Sequence, residues 1–241
     1  MKIISWNVNS IRVRIENFLE VVRKENPDVF LLQETRVEDA KFPMECFDDL
    51  GYNIAIKGEK SRNGVAIFSK YPLEEVNGDF SEEARYLEAF TNGIFVASIY
   101  VPNGQGIDFP QYFYKLDFLD RLRKKFFDFQ NEIFVAGGDY NVGPYPQDIY
   151  LKGYDGIIAS PREREAIKCL RDIGYKDPLE DQGFTWWSYR QFDFKKDNGY
   201  RIDQFYLSSG AQKLFSEGGV LRYARELTRP SDHAPIVCVL K

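Results

Sequence analysis

Short extended runs rich in β-branched and aromatic residues recur from one end of this 241-residue chain to the other, and that recurrence limits the folds open to it. Residues 2–8 read as a strand. Ile15, Phe18, Leu19 and Val22 then recur at helical spacing until Asn26-Pro27 stops the pattern, and a second strand follows over 29–34. Segments 51–57, 64–70 and 94–101 read as further strands separated by Gly, Asn and Pro, in an antiparallel stretch. Behind Pro110 the helical period returns at Phe113, Leu116, Leu119, Leu122, Phe126 and Phe129, with Arg121, Lys124 and Lys125 on the opposite side. Residues 134–141 form another strand, and Ser160-Pro161-Arg162-Glu163 has the form of a capping box before Ala166, Ile167, Leu170 and Ile173, ending at Gly174. Segments 184–189, 201–208 and 235–240 supply the last strands. Many strands in mixed order with about three amphipathic helices predict an α/β (α+β) chain of two packed sheets with helices outside. With no linker, repeat or low-complexity stretch, residues 1–241 are expected to form one domain.

A composition 44% hydrophobic and 16% aromatic supplies a large core and excludes a disordered chain. The formal charge of −5 argues against a passive nucleic-acid binder held by bulk electrostatics, yet is neutral for an enzyme that gathers carboxylates around a cation. Cys46, Cys169 and Cys238 lack metal-ligand spacing and are read as reduced packing residues. No apolar run is long enough to be a leader or a membrane span, so the expectation is a soluble, cytoplasmic monomer.

The polar residues that need explaining cluster where predicted strands end: Asn7 and Asn9 after the first, Glu34 after the second, Asp139 and Asn141 after a Gly137-Gly138 pair. Asp139 and Asn141 are two apart in an extended segment, so their side chains point the same way. Asp203 interrupts an apolar strand, where a charge needs a partner or a function. The chain's single histidine, His233, follows Asp232. Hydrolysis of a phosphodiester requires charge stabilisation, a nucleophile and help for the leaving oxygen, and a hard cation held by carboxylates serves two of these tasks. Oxygen ligands point to magnesium, with manganese as a substitute, rather than zinc. Taken singly, Glu34 reads as a surface residue, Asp139 as a turn residue and His233 as packing; only the set points to chemistry.

The residues that carry a resemblance are Ser5-Trp6-Asn7-Val8-Asn9-Ser10-Ile11-Arg12, Leu32-Gln33-Glu34-Thr35, Asn63-Gly64-Val65-Ala66, Tyr100-Val101-Pro102-Asn103-Gly104, Gly138-Asp139-Tyr140-Asn141, Thr185-Trp186-Trp187-Ser188, Arg201-Ile202-Asp203 and Ser231-Asp232-His233-Ala234-Pro235. In this order they resemble the exonuclease III branch of the exonuclease, endonuclease and phosphatase superfamily, which includes the abasic-site endonucleases of base excision repair. The resemblance implies a four-layer α/β/β/α sandwich like that of deoxyribonuclease I, and a DNA repair nuclease acting on double-stranded DNA at abasic sites or 3′ ends. It implies that Glu34 binds the metal, with Asn7 beside it and Asp232 close to the same site. It implies that Asp139 orients or deprotonates water, that Asn141 holds the phosphate or that water, and that His233, oriented by Asp203, meets the scissile phosphate with Tyr100 opposite. Trp186, Tyr200 and Ile202 match the family's abasic pocket, and Asn9, Arg12 and Arg85 match positions near DNA, whereas Trp187 is read as core and Lys195-Lys196 as a solvated loop. Two departures, a short connection from Asn141 to Ser160 and Asn103 in place of a common Gln, bear on the balance of endonuclease and exonuclease activity.

The alternatives are a nonspecific, RNA or lipid-phosphate phosphodiesterase of the same superfamily, and a catalytically silent DNA-binding module. A single histidine argues against relatives resembling deoxyribonuclease I or sphingomyelinase, which use a second one. A silent module is expected to have lost Glu34, Asp139, Asp203 or His233, and all four are present.

Overall fold

The computed structural model describes residues Met1–Lys241. One sheet contains β1 (Lys2–Asn7), β2 (Val29–Gln33), β3 (Asn53–Lys57), β4 (Val65–Ser69), β10 (Phe215–Val220) and β11 (Ile236–Leu240), in the order β10-β11-β1-β2-β4-β3. The other holds β5 (Glu74–Asn77), β6 (Tyr86–Thr91), β7 (Ile94–Tyr100), β8 (Phe134–Asp139) and β9 (Asp203–Leu207), in chain order. Each sheet is mixed, with one parallel pair, β1/β2 and β7/β8, joined through a helix: α1 (Ile15–Glu25) and α2 (Pro110–Asp128) respectively. The remaining helices are α3 (Pro161–Asp172), α4 (Asp193–Lys196) and α5 (Ser209–Leu214).

Strand alternation sorts the core into layers. Ile3, Val29, Leu31, Val96, Val135, Phe205 and Ile236 meet between the sheets. Ile4, Trp6, Phe30, Leu32 and Phe68 point outward from the first sheet and are covered by Phe18, Val21 and Val22 of α1. Ala97, Phe134, Ala136 and Tyr206 point outward from the second sheet, under Phe118, Leu122 and Phe126 of α2 and Ile167 and Leu170 of α3. The expected four layers are therefore present. α1 ends where Asn26 takes the left-handed conformation, φ 47°. α3 begins with the anticipated capping box, in which Ser160 and Glu163 satisfy each other's main-chain N–H groups.

Two differences from the sequence reading have local causes. Residues 184–189 are not a regular strand: only Trp186 forms bridges, to Tyr200 and to His233, because the segment threads between two loops rather than along a sheet edge. Strands β5, β6 and β10 were not predicted. β5 is a short, charged edge strand, and β6 reaches β7 through Asn92-Gly93, both with positive φ, the two-residue hairpin signal. Of the cysteines, Cys238 lies in the inter-sheet core, but Cys46 is exposed and does not pack.

Gly137 and Gly138 let β8 run close to its neighbours. A Cβ at Gly138 would lie 2.0 Å from the Ile99 carbonyl oxygen, and one at Gly137 would lie 2.6 Å from the Phe205 ring. Because the obstruction at Gly138 is main chain, it cannot rotate away. Gly138→Ala is therefore expected to cost about 3 kcal/mol of stability, measured by urea denaturation; a loss under ~0.5 kcal/mol would show that β7 and β8 can part without penalty.

Candidate active site

The inter-sheet face that is apolar along most of its length turns polar at one end. On β1 the sequence Ile3, Ser5, Asn7 runs from core to cleft, and on β2 the sequence Val29, Leu31, Gln33 does the same. Gln33 Nε2 donates to Ser5 Oγ at 3.1 Å and Ser98 Oγ at 3.0 Å, a buried polar rung between the apolar core and the site. Beyond it open the carboxyl ends of both parallel strand pairs, the usual place for a ligand in such sheets.

Asn7 is the bridge between them. Its Nδ2 donates to Glu34 Oε1 at 2.8 Å and to Asp139 Oδ2 at 2.9 Å, so a residue from one sheet holds a carboxylate from each. Glu34, at φ 51°, also accepts from Arg36 Nε at 2.8 Å. His233 Nδ1 lies 2.8 Å from Asp203 Oδ2, and its Nε2 points towards Asp139 Oδ2 at 3.8 Å. Asp203 is fixed in turn, because its N–H and that of Ile202 both donate to Thr185 Oγ1 at 3.1 Å. Asn141 Nδ2 reaches the Val101 carbonyl at 2.9 Å and Asp139 Oδ2 at 3.3 Å.

The electrostatics follow from this crowding. Burial pushes the Asp139 carboxyl up, and Asp203 and Glu34 add to the rise while His233 opposes it; the result is about 7. For His233, burial alone would favour the neutral ring, but Asp203 and Asp139 outweigh it and raise the imidazolium pKa to about 10. Burial, with the charges of Glu34 and Asp139, holds the Tyr100 phenol well above its ordinary range, so it remains a proton donor. Burial raises Asp232, yet His233, Asn9 and Trp186 overcome that and keep it below the usual carboxylate range.

A cavity of about 390 Å³ opens over these groups, lined by Glu34, Tyr100, Asn103, Asp139, Asn141, Asp232 and His233 on one side and by Tyr154, Ile157, Ile158, Trp186, Tyr200 and Ile202 on the other. Trp186 stacks on Tyr200, with centroids 5.1 Å apart and planes 9° from parallel, and Tyr150 stacks behind Tyr200 at 5.6 Å. Tyr200 and Ile202 face the cavity because the residue between them, Arg201, points the other way. Its guanidinium is buried between Asp148, at 2.7 Å, and Asp177.

Ligand atoms of Glu34, Asp139 and His233 lie within 4.8 Å of one another. The Glu34 and Asp139 carboxylates facing one cavity are the hard oxygen donors that a divalent cation takes, and here their charge is met by Asn7 Nδ2 and, at Glu34, by Arg36. Asp232 lines the same cavity, but its oxygens accept from Asn9 Nδ2 at 2.8 Å and Trp186 Nε1 at 3.0 Å, which ties it to the aromatic wall rather than to Glu34.

A profile of the endonuclease/exonuclease/phosphatase family matches residues 4–233. The chain belongs to that family. It is 31% identical to the exodeoxyribonuclease III of Haemophilus influenzae, across 98% of each chain. It is 29% identical to the DNA repair nuclease APEX1 of Danio rerio, over 100% of this chain and 82% of that protein. Among solved structures, the 3′-5′ exonuclease NExo of Neisseria meningitidis superposes with a TM-score of 0.96 at 31% identity, covering 100% of both chains. An AP endonuclease from Archaeoglobus fulgidus gives 0.95 at 31% identity, covering 100% of this chain and 99% of that one.

In this family member most of the sequence-predicted residues converge. Asn7 and Asp203 stand just behind the cavity wall, and Asn9 contacts Asp232. Arg85 pairs with Glu83 at 2.6 Å and lies over the Tyr100 ring, 4.7 Å from its centroid. Arg12 is exposed on the short turn after β1, and Trp187 is buried as expected. Sequence reading missed Tyr154, Ile157 and Ile158, and it noted Asn103 only as a departure from a family motif without placing it in the cavity.

The raised His233 pKa has a consequence for stability. The imidazolium–Asp203 interaction is fully present below the unfolded pKa near 6.5 and is lost as pH rises through about 10. In chelator-treated protein, the stability difference between wild type and Asp203→Asn should therefore be large at pH ~6 and shrink towards pH ~10.5. A difference independent of pH in urea titrations would remove the charged pair.

Proposed function

We propose that the protein is a DNA repair nuclease that hydrolyses the phosphodiester 5′ to abasic sites in double-stranded DNA and also removes nucleotides or blocking groups from 3′ ends. The observation that carries this reading is the convergence of Glu34, Asp139, Asn141 and the Asp203–His233 pair on one cavity whose far wall is the stacked Trp186 and Tyr200. Full-length likeness to an exodeoxyribonuclease III and to an AP endonuclease supports it.

Glu34, with Asn7 beside it, would hold magnesium or manganese. Such a cation supplies charge neutralisation for the phosphate oxygens and for the departing oxygen. Asp139, near neutrality, can accept the proton of an attacking water that Asn141 helps to orient. His233 remains protonated at physiological pH and offers Nε2–H to a non-bridging phosphate oxygen, while Tyr100 donates from the opposite side. Asp203 keeps the imidazolium charged and oriented. A sugar without its base is compact enough to enter the pocket formed by Trp186, Tyr200 and Ile202. Asp232 acts here through Trp186, whose indole N–H it accepts. No helix is long and apolar enough to cross a membrane, and we take the protein to act as a cytoplasmic monomer.

A duplex with one stable abasic-site analogue tests the reading. Incision on the 5′ side is expected with magnesium and not with chelator, and no metal-dependent product would sink it. His233→Ala should lower turnover by roughly two to four orders of magnitude with little change in DNA affinity. Shortening of the same strand from its 3′ end, followed in parallel, ranks the two activities.

A further inference from the structure

Behind the cleft, outside the groups that meet the phosphate, lies a lysine that water does not reach. Lys115 on α2 pairs with Glu163 on α3, and both side chains are fully buried. Desolvation consumes most of the Coulombic gain of such a pair, so two apolar side chains of similar size would serve stability equally well. What distinguishes this pair is what else it grips. Lys115 Nζ donates to the main-chain carbonyls of Asn141 at 2.6 Å and Asn103 at 3.3 Å as well as to Glu163, so each of its hydrogens has an acceptor. Glu163 accepts from the main-chain N–H of Ile158 at 3.0 Å and from the N–H and hydroxyl of Ser160 at 3.0 and 2.6 Å.

Asn141 and Ile158 both face the cavity, on its polar and apolar sides. Both hold left-handed backbone, φ 51° and 72°. That region is tolerated by asparagine but costly for a β-branched residue such as Ile158, where it persists only because the surroundings impose it. Each end of the ion pair therefore grips the main chain of one cavity residue in left-handed backbone. A main-chain bond from Gly143 N–H to the Ile158 carbonyl, 2.6 Å, closes the loop between them.

We infer that the buried Lys115–Glu163 pair is a positioning device that holds Asn141 and Ile158 in their left-handed conformations and so fixes the reactive edge of the cleft relative to its pocket wall. The inference rests on the phosphodiesterase reading above. Neither residue touches substrate. Without the ammonium, the Asn141 carbonyl loses its donor and its backbone relaxes. Its side-chain amide then leaves Asp139 and Val101, and Asn103, whose Nδ2 donates to Asn141 Oδ1 at 3.2 Å, moves with it.

The test compares Lys115→Met with the double variant Lys115→Met/Glu163→Gln, by thermal unfolding and by steady-state incision of the abasic duplex in magnesium. Lys115→Met strands a buried carboxylate, so both melting temperature and kcat should fall. The double variant removes that charge and should regain most of the melting temperature, while kcat stays down about 30-fold or more with KM within about threefold, as expected for a displaced reacting group. Recovery of kcat together with stability, or a loss confined to KM, would overturn the inference. If Lys115→Met does not fold, the double variant and the charge-keeping Lys115→Arg make the same comparison, with Lys115→Arg expected to hold more activity than the double. Amide hydrogen exchange over 141–143 and 157–160 gives a readout independent of cleavage: faster exchange in the folded double variant is expected, and unchanged exchange counts against the clamp. A wild type that does not cut the duplex fails the functional reading alone; normal wild-type activity with a fully active double variant fails only the clamp.

Discussion

Everything in this protein depends on the alternation of side chains on the two facing sheets. Along β1, β2, β7, β8 and β9 every second residue points into the space between the sheets, and over most of its length that space is filled by aliphatic side chains and Phe205. At one end the same positions become Asn7, Gln33, Tyr100, Asp139 and Asp203. One register thus builds the core and the site, and a slip by one residue in any of these strands would exchange polar and apolar faces and abolish both.

Such a cluster of buried carboxylates would repel itself apart without internal compensation. Asn7 places one amide between Glu34 and Asp139, Arg36 offsets Glu34, and the His233 imidazolium lies between Asp203 and Asp139. The remaining negative charge makes the site receptive to a cation. The buried charges behind the cleft follow the same logic. Arg201 between Asp148 and Asp177 turns Tyr200 and Ile202 outward, and Lys115 with Glu163 holds main chain rather than substrate.

Legibility in the sequence tracked how local the determining physics was. α1, α2 and α3 were readable because their apolar stripes, Pro starts and caps are written within single segments. β6 carried its hairpin signal at Asn92-Gly93, whereas β5, with three exposed residues, carried none. Residues 184–189 looked like a strand because Trp186-Trp187 flanked by Thr and Ser has strand composition, but the partners of Trp186 are two separate loops, at Tyr200 and at His233, rather than a sheet edge. Arg85 matched a family position near DNA in the sequence, whereas its pairing with Glu83 and its place over the Tyr100 ring are set by the fold.

By itself the sequence determined the layers, since strand and helix periodicities and Gly137-Gly138 are local constraints that few folds satisfy together, and its order of short motifs determined the family. Only the tertiary structure decided which polar groups share a proton, a cation or a strained backbone. Asn7 between two carboxylates, Asp232 tied to Trp186, and Lys115 holding Asn141 are contacts between residues at least 26 positions apart, and their energies depend on distance and burial that no segment specifies alone.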